Sequence, residues 1–157
     1  MISKYMNLFL DADITDQRDQ TSYSRRLDAV LAQEGITIED IIGLGENGTG
    51  STFDLYVVHR QAITLASEHG MFSKRIEVRR LCDLGSIARL RSTEEGYKGR
   101  DLTITAHDES GAVIARIAWS ISGPDWVQPL VTQQREHLFS VVSAAMDQLA
   151  ESPSRSS

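Results

Sequence analysis

The strongest constraint on the fold is a rhythm. From Phe53 to Ile121 short apolar runs alternate with turn residues roughly every ten positions. Phe53–Val58 and Ile63-Thr64-Leu65 have strand composition, separated by His59-Arg60. From Phe72 to Arg80, Ile76 and Val78 alternate with Arg75, Glu77 and Arg79. Ile87–Leu90 is a weaker strand, and Leu102, Ile104 and Ala106 alternate with Thr103, Thr105 and His107. Val113, Ala115, Ile117, Trp119 and Ile121 share one face of a last long strand. Turns belong at Glu68-His69-Gly70, in the Glu94–Gly99 loop and at Asp108-Glu109-Ser110-Gly111. Such spacing suits a meandering antiparallel sheet and leaves no room for the helices of βαβ units.

Two helical patterns flank the strands. Tyr23, Leu27, Val30 and Leu31 fall at i, i+4, i+7 and i+8, with Thr21 or Ser22 as an N-terminal cap and Gly35 as the stop. Leu138, Val141, Val142, Ala145 and Leu149, with Phe139 and Met146 beside them, define a second helix from about Asp125, after Gly123-Pro124 ends the sheet. Trp119 and Trp126 are expected as core and end-plug anchors. Ile36–Leu44 fits a strand or one helical turn, and Gly43–Gly50 reads as turn, with Asn47-Gly48 at a hairpin. The organisation expected is an N-terminal helical extension over 1–35, one domain over 36–151 and a tail over 152–157.

Strand order and local text resemble the pleckstrin-homology superfold and the bacterial pleckstrin-homology-like families. The phrase Leu55-Tyr56-Val57-Val58-His59-Arg60-Gln61-Ala62-Ile63-Thr64-Leu65, followed by Gly70-Met71-Phe72-Ser73-Lys74, is similar to their strand, polar-Arg turn, strand and hairpin text. A threonine is commoner in that family where His59 stands. The resemblance covers about Glu39 to Leu149. It implies an α+β fold of about seven antiparallel strands in a bent sheet or partly open barrel, capped by the C-terminal helix. Such folds bind lipids, peptides or copies of themselves, so a site has to be argued from its own residues. The loop framing the ligand mouth in that family corresponds here to Glu46–Thr52, which holds no lysine or arginine. That departure counts against phosphoinositide-style recognition.

Several chemistries fail on spacing. Gly43-x-Gly45-x-x-Gly48 has the dinucleotide fingerprint, but a strand follows where the phosphate-binding helix must start. A helix-turn-helix over Arg25–Gly43 would lack basic side chains on its second helix. His59, His69, His107, His137 and Cys82 show no metal-ligand spacing, so no metal or cofactor is expected. No nucleophile motif is present, and a non-enzymatic binding module is expected. The single cysteine and the lack of a signal-like start or a long apolar run suit a cytoplasmic protein.

Charge supplies the candidate sites. The chain is net −6, yet residues 59–100 carry +4 between two acidic flanks. Lys74, Arg75 and Arg79, with Arg80, lie on one strand, and Arg89 and Arg91 on the next. Were those strands neighbours, they would offer a cationic face to an anionic membrane surface or ligand. The acidic total argues against nucleic acid. The other candidate is the Tyr23/Leu27/Val30/Leu31 helix face, which would contact a protein partner or a second copy. Protein–protein interaction or self-assembly is the function expected first, with the anionic ligand as the alternative.

Overall fold

The computed structural model describes residues 20–48, 53–70, 75–96, 98, 100–121, 125 and 127–151. Met1–Asp19, Lys74, Trp126 and the tail from Ser152, all read above from the sequence, lie outside the described residues. The order is α1 (Gln20–Glu34), a 3-10 turn (Ile38–Asp40), β1 (Ile41–Asn47), β2 (Asp54–His59), β3 (Ala62–His69), β4 (Arg75–Asp83), a 3-10 turn (Leu84–Ser86), β5 (Arg89–Glu95), β6 (Asp101–His107), β7 (Val113–Ser120) and α2 (Val127–Glu151). Among the described residues, seven strands and two helices give the expected α+β class. They form two antiparallel sheets, β1-β2-β3-β4 and β5-β6-β7, which are not closed into a barrel.

Side-chain alternation decides what each face of the first sheet meets. Leu55, Val57 and Ala66 point to α1, where Tyr23, Leu27 and Val30 complete an apolar cluster with Leu44 and Phe53. Tyr56, Val58, Ile63 and Leu65 point the other way, into the main core with Leu102, Ile104, Ile117 and Trp119 of the second sheet and Val131, Leu138 and Val142 of α2. The first sheet is thus covered on both faces. This explains why β2 and β3 read as continuous apolar runs rather than as clean alternation.

α1 ends as its sequence requires. Gly35 takes φ +64°, and the Ile36 N–H reaches back to the Leu31 carbonyl at 3.2 Å, the closing bond of a Schellman motif. Beyond it, Ile36–Leu44 holds both conformations considered: a 3-10 turn, then the start of β1.

The glycine-rich stretch departs from expectation. Gly43, Leu44, Gly45, Glu46 and Asn47 are strand, with Gly43 opposite Val58 and Gly45 opposite Tyr56. The reason lies across the core. A Cβ on Gly43 would sit 2.5 Å from Val141 Cγ1, and one on Gly45 2.7 Å from Leu138 Cδ1. The two glycines let α2 lie directly on the strand backbone. Asn47 pairs with Asp54, so the β1–β2 connection is longer than the tight two-residue turn expected at Asn47-Gly48.

Other boundaries move for simpler reasons. Glu68 and His69 extend β3 because they pair with Ile76 and Arg75, leaving Gly70 (φ +106°) to turn the chain. Glu94 and Glu95 extend β5 opposite Leu102 and Asp101. In β7 a bulge between Ala106 and His107 of the partner strand breaks the expected face. Ile117, Trp119 and Ile121 are buried, whereas Val113 is 56% exposed. Trp119 anchors the core as expected, donating its indole N–H to the Glu46 carbonyl at 3.1 Å.

Candidate functional site

The helix face read as a partner surface is turned inward. Tyr23, Leu27 and Val30 are buried against the chain's own first sheet, and Leu31 packs half-buried beside them. Phe53 packs against Tyr23 at 4.9 Å between ring centroids with the rings tilted by 42°, and the Arg26 guanidinium lies over the Phe53 ring at 4.1 Å. These contacts correct the expectation of an exposed docking face, because the apolar stripe meets its own sheet.

The lower end of α1 is held by a polar cluster. His59 and Thr64 are fully buried, and Glu34 closes the helix above them. The Gln61 N–H approaches His59 Nδ1 at 3.3 Å, so Nδ1 accepts and the ring proton sits on Nε2. Nε2 then donates toward Glu34 Oε1, 3.2 Å away, with Thr64 Oγ1 at 3.1 Å. The same Glu34 oxygen accepts from Thr64 Oγ1 at 2.9 Å and from Arg80 Nε at 3.0 Å. Burial pushes the Glu34 carboxyl up, but the bonds from Arg80, Thr64 and His59 outweigh it and hold it below its usual range. Burial lowers His59, with Glu34 opposing. Arg80, counted with the basic strand in the sequence, is a member of this tether and also pairs with Asp83 at 3.0 Å.

The cationic residues are brought together differently from the sequence expectation. Among the described residues β4 pairs only with β3 and β5 only with β6, so Arg75 and Arg79 do not share a sheet with Arg89 and Arg91. The premise of neighbouring strands is corrected: consecutive strands here fall on either side of the break between sheets. Arg75 and Arg79 remain exposed on the edge strand of the first sheet, opposite His69 and Leu65.

On the second sheet a tighter group appears. Leu90, Ala106 and Ala115 face the core, so the residues between them face out. Arg91 stands opposite Thr105, and Thr105 opposite Arg116, so the three form one cross-strand row. The adjoining row is Arg89, His107 and Val113. Arg89, Arg91, Arg116 and Val113 are exposed. Among the described residues no carboxylate lies within ion-pairing distance of these three arginines, and the buried side chains of α1 and α2 pack elsewhere. Acidic groups on the same face, Glu95 and Asp101, stand opposite each other at its far end.

The floor of this patch is polar and ordered. His107 Nδ1 faces the Gly111 carbonyl at 3.2 Å and must donate to it, so in the neutral ring Nε2 accepts from Thr105 Oγ1 at 3.0 Å. One row further on, the hydroxyls of Thr93 and Thr103 bond to each other. Arg135, from α2, fixes the rim: it reaches the Thr93 carbonyl at 3.3 Å and Glu94 Oε1 at 3.0 Å.

Sequence reasoning missed Arg116. Its signal was present, since Ile117 and Trp119 facing inward place Arg116 outward, but its company with Arg91 depends on the register of two strand pairs. Elsewhere, ionisation shifts belong to packing. Burial pushes the Tyr56 phenol up to about 12 and raises the Cys82 thiol, helped by Asp83. Among the described residues no three His, Cys, Asp or Glu side chains are grouped to hold a metal ion, and no helix is long and apolar enough to cross a membrane. Compared with known proteins, the chain matches no family model, no curated protein and no solved structure.

Proposed function

We propose that the chain is a non-enzymatic binding module that takes an acidic protein segment on the outer face of the β5–β7 sheet. The observation that carries this reading is the exposed group of Arg89, Arg91 and Arg116, which has no acidic partner among the described residues. Three like charges on neighbouring strands repel one another, and an anion from outside relieves that repulsion. Val113 adds an exposed apolar side chain at the same end. A pleckstrin-homology-like origin and a cytoplasmic location are in keeping with this role.

Size favours a segment over a second copy. Three strands of seven or eight residues present a face of roughly 14 by 23 Å, or about 300 Å². A stable protein–protein contact needs about 800 Å² on each partner. The overall charge of −6 disfavours approach to an anionic bilayer, which engages a broader surface than this patch.

The test is a nuclear magnetic resonance titration of the labelled chain with a glutamate-rich nonapeptide, alongside flotation with neutral and phosphatidylserine-containing vesicles. Shifts should concentrate at Arg89, Arg91, Thr105, His107, Val113 and Arg116, and fade as salt is raised. Shifts confined to Arg75 and Arg79 would move the site to β4. Binding to anionic vesicles without any response to the peptide would replace the protein partner with a membrane.

A further inference from the structure

Resting on that reading, we infer that the Arg91–Thr105–Arg116 row is built for a phosphomonoester, carried on the side chain of a phosphorylated protein segment. The two arginines flank the central strand, each one strand spacing from Thr105, so their backbones stand about 10 Å apart on one face. An arginine side chain leaning inward from each side can reach a group held over Thr105. Arg89 stands two residues along β5 from Arg91 and faces the same way, which places a third guanidinium at the edge of the same spot.

The count of charges and acceptors selects the ligand. A carboxylate carries one charge and two oxygens, and a single guanidinium satisfies it through a bidentate pair. A second and third arginine around it would remain uncompensated. A phosphomonoester carries −1.5 to −2 charges near neutral pH and three terminal oxygens, enough to bridge two guanidiniums and still face a third. Thr105, half-buried between the two arginines, is the small residue that a compact tetrahedral group would meet on the central strand, since Thr103 and His107 on either side of it are buried.

Thr105 forms the middle of the row without adding a donor to it. Its hydroxyl is already oriented by His107, whose own position is fixed through Gly111. The hydroxyl proton is already given to His107, so the threonine shapes the floor of the row and every donor to the phosphoryl group comes from the arginines.

Three acidic nonapeptides of one sequence, with phosphoserine, glutamate or alanine at the centre, test the assignment by fluorescence anisotropy on the full chain. The phosphoserine peptide should bind at least ten-fold more tightly than the glutamate peptide at pH 7.5. That advantage should shrink at pH 5.5, where the phosphate loses most of its second charge, its second pKa being about 6. Arg91→Gln and Arg116→Gln should each erase most of the advantage, whereas Arg75→Gln should leave it intact. All three residues are exposed, and unchanged circular dichroism of each variant confirms its fold.

Equal affinity for the phosphoserine and glutamate peptides would overturn phosphate selection while leaving the acidic-partner reading in place. Binding of none of the peptides would overturn both. Phosphatidate vesicles that compete at lower phosphate concentration than the peptide would overturn the assignment to a protein and give the site to a lipid headgroup.

Discussion

Replacing Gly43 with alanine adds one methyl group at a point where the structure has no room for it. The new Cβ would stand 2.5 Å from Val141 Cγ1, 3.1 Å from Cγ2 and 3.4 Å from Cβ. A flexible side chain could swing clear, but a helical valine is confined almost entirely to one χ1 rotamer. Relief must therefore come from moving α2 away from β1 by roughly 1 Å, the gap between 2.5 Å and ordinary carbon contact. Overpacking of this kind costs about 1–3 kcal/mol. The stiffer unfolded chain returns about 0.4–1 kcal/mol, since Gly43 is not in a left-handed conformation and alanine fits its backbone. The net expectation is a loss of about 1–2 kcal/mol. With a urea slope of about 2 kcal/mol per molar, the midpoint falls by roughly 0.5–1 M.

A cycle with Val141→Ala isolates the cause. Val141 is buried at 7% exposure, so its truncation alone costs about 1–2 kcal/mol. In the double variant the incoming methyl occupies space the valine has vacated, and the pair should be more stable than the sum of the singles by about 1 kcal/mol or more. Urea titrations of the four proteins, followed by tryptophan fluorescence and circular dichroism, give all the values. Strict additivity would refute the argument that Gly43 is glycine because α2 needs the space.

Two further outcomes follow from the way α1 is attached. Leu27→Ala, at a position 1% exposed, should destabilise by about 2–5 kcal/mol without altering the oligomeric state in sedimentation. A variant that stays fully stable but changes its association would reassign the helix to assembly. The tether at His59 makes stability depend on pH in a defined direction. Both His59 and Glu34 have lowered affinities for protons in the folded chain, so the unfolded chain binds more protons in each case. Their contribution is complete above the ordinary histidine value of 6.5. The histidine part fades first on acidification, and the glutamate part follows below 4.5. His59→Gln keeps a donor near Glu34 but cannot titrate, so it should flatten the decline just below pH 6.5 and leave the steeper one below pH 4.5. An unchanged profile would remove His59 from the tether.

The strands were legible where one face is buried and the other is not. Leu102, Ile104 and Ala106 against Thr103 and Thr105 is a local pattern, and the structure places it as read. β1 was not legible, because its glycines answer to Leu138 and Val141 on a helix far along the chain. Read locally, glycine signals a turn; the demand for close approach comes from the partner. The same distinction governs the candidate site. The arginines stood out by charge, but their grouping depends on which strands pair. Arg89 and Arg91 kept each other's company because two-residue spacing is local. Arg75 and Arg79 were separated from them by the break between sheets, and Arg116 joined them through β6. The helix face of Tyr23, Leu27 and Val30 had the right period, but periodicity says only that a face is apolar and never what covers it.

The glycine strand also sets an order of events during synthesis. β1 is covered by residues of α2 that leave the ribosome roughly a hundred positions later, an interval of about 5–20 s at ordinary elongation rates. Within that time β2, β3 and β4 are made and can pair with β1, yet the bare trough over Gly43 and Gly45 stays open to any other apolar segment. The nascent chain therefore passes through a stage in which this groove has no occupant of its own, and a chaperone that shields β1 until Leu138 and Val141 emerge is expected to raise the yield of folded protein.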